Sequence, residues 1–255
     1  MRRQDISFDQ SILSQRKDPD QYPEITWIGK RYEAIRLYRE WYLRRNALPQ
    51  RGIASPRQPS PADLPGDHLN EDAGNLVLVL NYLEMHDHAR QRILEKLREF
   101  NSSIIRIYPK IEMGSVQLYL VEALSGSTDK PVLIPASRLS DGTMRFLCLL
   151  AVLCHPTPPP LICIEEPEMG LHPDILPTVA ELLVEAATRS QVIVTTHSDI
   201  IVDALTETPE AVIVCDQQEG RTRMRRLDGA ALRDWIGEYR LGRGWLDGKI
   251  GGTRW

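Results

Sequence analysis

Residues 161–168 read Leu-Ile-Cys-Ile-Glu165-Glu166-Pro-Glu168, four apolar residues followed at once by two carboxylates. A short apolar run stopped by proline predicts a buried strand, with Glu165 and Glu166 where the chain emerges at its C-terminal edge. In open α/β sheets that edge is where ligands bind. Adjacent residues on an extended chain point to opposite sides, so the two carboxylates can take separate roles. One can hold a magnesium ion, largely through water, and the other can polarise an attacking water. Strand ends are also acidic for no reason beyond solvation, and these eight residues alone leave both readings open.

Working outward, Gln191-Val-Ile-Val-Thr195-Thr196-His197-Ser198 repeats the form. A buried strand over 192–195 ends in two hydroxyls and an imidazole that can orient a phosphate or serve structure alone. Upstream, Arg138-Leu139-Ser140-Asp141-Gly142-Thr143 opens the most apolar helix of the chain, predicted over 142–154. Ser140 is a natural N-cap. The free amides at that helix end form a ready anion site, and Gly142 permits close backbone approach. An ordinary capped helix reads the same way. Further helices over 174–188 and 200–205, and strands over 161–164 and 211–215, complete an alternation of strand and helix. That alternation predicts α/β architecture, a layered, mostly parallel sheet with covering helices.

The first 69 residues form a separate, irregular and helical segment. Tyr32, Ile35, Tyr38, Trp41 and Tyr42 recur at three- and four-residue spacings and predict a helix over 29–45. Its basic residues, from Lys30 to Arg45, suit a nucleic acid, a protein partner or plain solvent. Five prolines between Pro49 and Pro65 mark a surface loop or linker. The unit 70–255 opens with a long helix from an Asp72 N-cap to about Phe100, followed by strands over 104–108 and 115–122 around Met113-Gly114.

The 255 residues carry 31 basic and 35 acidic side chains, a net charge of −4, which excludes a uniformly basic nucleic-acid coat. No apolar run approaches the roughly 20 residues that span a bilayer, and no apolar stretch follows Met1, so neither membrane insertion nor secretion is expected. Cys148, Cys154, Cys163 and Cys215 all lie among apolar residues and read as reduced core thiols of a cytoplasmic protein. His86-Asp87-His88 places its imidazoles on different helix faces, which suits solvent better than a metal. Arg221, Arg223, Arg225 and Arg226 read as a charged strand edge.

In this order and spacing, the three clusters resemble the second half of an ABC-type nucleotide-binding head of the SMC/RecF-like branch of P-loop ATPases, and the run from Leu241-Gly242 to Gly251-Gly252-Thr-Arg-Trp255 resembles the ending of bacterial predicted ATPases of AAA15/AAA21 type. Leu139-Ser140-Asp141-Gly142-Thr143 is similar to the signature loop, and Leu161 to Glu166 to the Walker B strand. Met169-Gly170-Leu171-His172-Pro173 is similar to the D-loop, and His197 to the switch histidine. The resemblance implies ATP and Mg²⁺ as ligands, with Glu165 on the magnesium side and Glu166 as catalytic base. Ser140, Gly142 and Thr143 would touch nucleotide. It also implies a second ATPase head as partner, either a copy of this chain or one supplying the Walker A loop, and it admits nucleic acid.

Glu165 departs from the usual Asp, and Asp141 from the usual Gly. Asp141 is tolerable if its carboxylate caps its own helix and faces away. The Gly-x4-Gly-Lys-Ser/Thr loop that wraps phosphates is not found. Gly126 to Lys130 lacks a paired glycine, and Gly242 to Lys249 is one residue too long and lacks the hydroxyl. The chain therefore reads as a head whose N-terminal lobe is incomplete, inactive alone. A non-catalytic interaction or regulatory module on the same fold is the alternative. A Toprim nuclease would need an acidic pair that the segment after Ala211, with Asp216 alone, does not offer.

Overall fold

The computed structural model describes residues 11–15, 18–41, 43, 55–123, 130–236 and 240–252. The strands are β1 (Arg36–Tyr38), β2 (Ser60–Pro61), β3 (Ile104–Glu112), β4 (Ser115–Glu122), β5 (Val132–Pro135), β6 (Leu161–Glu165), β7 (Gln191–Thr195), β8 (Ile213–Gln218) and β9 (Arg221–Arg226). The helices are α1 (Ile12–Gln15), α2 (Pro23–Glu33), α3 (Leu76–Glu84), α4 (Asp87–Phe100), α5 (Asp141–Leu153), α6 (Leu176–Ala187), α7 (Asp199–Asp203), α8 (Gly229–Ile236) and α9 (Leu241–Leu246).

The expected parallel sheet is present, in the order β1-β6-β7. Its register sets Leu37, Cys163 and Ile193 in one row and Tyr38, Ile164 and Val194 in the next. Tyr38, Ile162 and Ile164 are buried in the main core, shared with α5 and α6. From Met144 to Leu153, α5 is buried on every side, as its nearly continuous apolar sequence requires. Beside this sheet stands an antiparallel one, β2-β4-β3 with β5 on β4. Met113 and Gly114 turn the β3–β4 hairpin, both at positive φ, the geometry that matches the strands' own twist.

Several expectations from the sequence are corrected. Residues 29–45 do not form one helix. The chain leaves α2 at Glu33 and enters β1, which pairs with Ile162–Ile164. The aromatic spacing is shared by a helix end and a short buried strand, and periodicity alone cannot separate the two. Tyr38 lies in the core and donates from its hydroxyl to the Leu69 carbonyl at 3.0 Å. The long helix over 72–100 is two helices, broken at Met85-His86, where His86 is extended. Asp72 accepts from the Gly74 amide within a turn, and Asn75 occupies the N-cap position of α3.

Of the proline-rich stretch 49–65, residues 49–54 lie outside the described residues, as does Arg45. The remainder is no solvent linker: Arg57 and Ser60 are buried, and Ser60-Pro61 pairs with β4. Residues 211–215 belong to a 3₁₀ turn and to a separate β8–β9 hairpin rather than to the parallel sheet. Only Cys148 and Cys154 are core thiols, and burial pushes both upward, Cys154 to about 12. Cys163 is half-buried and Cys215 exposed. Among the described residues no helix is long and apolar enough to cross a membrane.

Candidate functional site

The site forms where β6 and β7 end together, with Glu165 in register with Thr195. The next residue, Glu166, has φ +44°, a left-handed conformation that costs a side-chain-bearing residue about 1–2 kcal/mol. Two hydrogen bonds hold it there. The Glu166 N–H donates to the Thr195 carbonyl at 2.9 Å, and its own carbonyl accepts from Arg145 Nη2 at 3.0 Å. In this conformation Glu166 Oε1 stands 3.5 Å from His197 Nε2. The His197 side chain is 77% exposed and that of Glu166 34%, so the pair lies open to an incoming ligand.

Glu165 sits apart from this pair. Its carboxylate is 53% exposed and lies 3.8 Å from the Nε of Arg39, the residue that follows β1. Magnesium is held by one or two carboxylates together with waters and substrate phosphates rather than by an all-protein cage. A single accessible carboxylate at a strand end fits that mode. Among the described residues there is no cluster of three or more His, Cys, Asp or Glu able to hold a metal.

Behind Glu166 lies Arg145, a buried cation on the otherwise apolar α5, its guanidinium 5.3 Å from the centre of the Trp41 ring. Burial pulls its pKa below the ordinary value, while the nearby carboxylates of Glu168 and Glu166 act in the opposite direction. Glu168 reaches the loop after β7: its Oε1 accepts from Thr196 Oγ1 at 2.8 Å and from the His197 N–H at 2.7 Å. Three buried polar atoms here make no hydrogen bond: Arg145 Nε, Trp41 Nε1 and Glu168 Oε2.

The third cluster begins α5. Ser140 Oγ accepts from the Thr143 N–H at 3.0 Å and lies 2.7 Å from Thr143 Oγ1, the N-cap expected of it. The Asp141 carboxylate does not cap its own helix, so the condition set for tolerating it is met in another way. It pairs with the buried Arg57 guanidinium, which also donates to the carbonyls of Leu43, Ala136 and Leu139. The negative charge at the start of α5 is thereby neutralised. At Gly142, a Cβ would stand 3.1 Å from the Gly170 carbonyl. The close backbone approach at Gly142 is therefore to the 169–173 turn.

Glu166 and His197 are thus in contact, Glu165 precedes Glu166 at the end of β6, and Gly142 borders the turn that follows Glu166, with Ser140 and Thr143 joined to each other beside it at the start of α5. Four residues were missed from the sequence. Arg145 had a signal, a lone cation in the most apolar helix, and Glu168 was visible as a third acid after the strand. Arg39 and Arg57 had none, because they reach their partners only through tertiary packing.

The sequence profile of the AAA_21 family, described as "AAA domain, putative AbiEii toxin, Type IV TA system", matches residues 5–203. No curated protein matches the sequence. Among solved structures, the chain is similar to an SMC ATPase studied for ATP-driven dimerisation and DNA-stimulated activation. The identity is 15% and the TM-score 0.43, over 64% of this chain and 99% of that one. It is also similar to an Smc head bound to the C-winged helix domain of ScpA, at 15% identity and TM-score 0.47, over 62% of this chain and 51% of that one. A third is the Smc head of Pyrococcus yayanosii with a coiled coil and joint, at 16% identity and TM-score 0.44, over 62% of this chain and 30% of that one. The chain therefore spans about half of the second and under a third of the last.

Proposed function

Because this chain belongs to the AAA_21 family of AAA-type P-loop ATPase domains, we propose that it supplies the water-activating half of an ABC/SMC-like ATP site. The observation that carries this reading is the Glu166–His197 pair: a strained carboxylate 3.5 Å from an exposed imidazole, at the C-terminal edge of a parallel sheet. Glu166 is the base that orients and deprotonates the attacking water, since phosphoryl transfer asks the protein mainly for positioning and charge stabilisation. His197 donates a hydrogen bond to the phosphate under attack and senses its presence. Glu165 would hold Mg²⁺, which when bound neutralises charge on the phosphate oxygens. Ser140, Gly142 and Thr143 present the start of α5 to a nucleotide, with Asp141 silenced by Arg57.

The chain contains no Gly-x4-Gly-Lys-Ser/Thr loop. We therefore propose that the phosphate loop is supplied from outside these 255 residues, as by a partner ATPase head, and that the 255-residue chain alone hydrolyses ATP at background. The setting is cytoplasmic, and nucleic acid is a secondary candidate partner. The missing loop also favours a second reading, in which the same fold serves as a non-catalytic interaction or regulatory module. Thermal unfolding with ATP–Mg²⁺, measured with and without a phosphate-loop-bearing head, separates the two. The catalytic reading expects stabilisation with the partner and ATP turnover abolished by Glu166→Gln. A flat response in every pairing selects the interaction module. Turnover by the isolated chain that Glu166→Gln abolishes overturns the shared-site reading.

A further inference from the structure

His197 is oriented by something other than packing. Its side chain is 77% exposed, and among the described residues its one charged contact is Glu166 at 3.5 Å. Ser198 is buried and anchored as the N-cap of α7, its carbonyl accepting from the Val202 N–H at 3.2 Å. Thr196 and His197 belong to no helix or strand, and what holds them is a single carboxylate. Glu168 Oε1 accepts from the His197 N–H at 2.7 Å and from Thr196 Oγ1 at 2.8 Å. The Thr196 hydroxyl in turn accepts from the Ser198 N–H at 3.0 Å, and Ser198 Oγ accepts from the Ile201 N–H at the start of α7. Hydrogen bonds to an ionised acceptor are about twice as strong as neutral ones, so one carboxylate can set these residues.

Glu168 is itself fixed. Buried Pro167 precedes it, its carbonyl accepts from the Leu171 N–H at 3.1 Å, and the Met169 N–H returns to the Glu166 carbonyl at 3.0 Å. The turn that throws the Glu166 carboxylate toward β7 thus also delivers, two residues on, the group that grips the backbone of His197.

We infer that Glu168 is the positioning residue of this site, locking the Thr196–His197 backbone so that the imidazole faces the Glu166 carboxylate. The inference deepens the catalytic reading and takes from it the roles of Glu166 and His197. The contacts themselves need no nucleotide, so the test uses the 255-residue chain without ATP. Amide hydrogen exchange at His197 is expected to speed up at least tenfold in Glu168→Ala, with core amides of α5 unchanged. Glu168→Gln, which keeps an acceptor oxygen, is expected to recover most of the protection.

A structural prop would slow exchange equally well, so a second readout is a mutant cycle on the His197 ring ¹³Cε1 signal. Glu166→Gln should move that signal when Glu168 is present and leave it unmoved in the Glu168→Ala background. Exchange at His197, or the response to Glu166→Gln, that is unaltered by loss of Glu168 overturns the inference. If Glu168→Ala does not fold, Thr196→Val removes one of the two donors, and wild-type exchange at both His197 and Ser198 in that variant overturns it equally. Failure of ATP–Mg²⁺ to stabilise the paired heads would instead sink the catalytic reading and leave these contacts standing.

Discussion

Two clusters of charge, one between α4 and α6 and one at the β6–β7 edge, are built on opposite terms. Between α4 and α6, Arg92 meets Glu185 at 2.6 Å, Glu181 at 2.8 Å and Glu95 at 3.1 Å. Lys96, only 3% exposed, meets Glu181 at 2.6 Å and Glu99 at 2.8 Å, and Glu99 also accepts from Thr178. Burial pulls the Lys96 pKa down, but the hydrogen bonds it donates to Glu181 and Glu99 carry it above its ordinary value. Lys96 and then Arg92 hold Glu181 below the usual carboxylate range. At the β6–β7 edge, by contrast, ionic separations are 3.5 and 3.8 Å, one carboxylate has left-handed backbone, and three buried polar atoms lack partners. A saturated network rigidifies, whereas unsatisfied buried groups and local strain mark a place kept ready for something else. Here charge density does not distinguish clamp from site; the degree of satisfaction does.

The contrast can be broken from either side. Arg92→Ala has the largest expected effect, a loss of about 2 kcal/mol in urea unfolding, since one cation with three carboxylate partners leaves the α4–α6 clamp. Glu166→Gly should act in the opposite direction, raising stability by about 1 kcal/mol by relieving the left-handed backbone while removing the proposed base. A destabilised Glu166→Gly protein would show that the turn is not strained.

Acid provides a smaller and separate handle. Because Glu181 is held below its ordinary 4.5 in the folded state, the stability it adds is present above that value and drains as pH falls through its lowered folded pKa. Unfolding followed between neutral pH and pH 3 should therefore show a decline that Glu181→Gln flattens. The smallest effect is expected at Gly142→Ala, within about 0.5 kcal/mol of wild type. The gain in helix preference offsets the crowding against Gly170, and the change should register instead as a shift of the Gly170 and Leu171 amide resonances.

The candidate site was legible in the sequence to an unequal degree. Glu165, Glu166 and His197 could be named because each stands within three residues of the end of an apolar run, and where such a run ends is a local property of the chain. Ser140 could be named as a cap for the same reason, since capping involves only the next three residues. The positive φ of Glu166 could not be read, because a glutamate carries no local preference for it. It is held by Thr195 and Arg145, which are distant in sequence.

The amino-acid order by itself determined β6, β7, α5 and α6 and the acidic and imidazole ends of the two strands. These elements are apolar runs of the right period and length, and composition alone gives the burial of α5, α6 and the alternate residues Ile162 and Ile164 of β6. β7, expected to be buried, is instead the edge strand of its sheet, with Ile193 exposed, because burial there depends on a neighbouring strand. Tertiary structure alone decided that residues 36–38 become a strand rather than a helix, because the backbone groups of Leu37 and its neighbours find partners on β6. It also decided that Arg57 crosses to Asp141 and that one carboxylate of the 165–168 run grips the backbone of residue 197. Such contacts join segments far apart in the chain. Their energy depends on geometry that exists only once the core has brought those segments within hydrogen-bond reach.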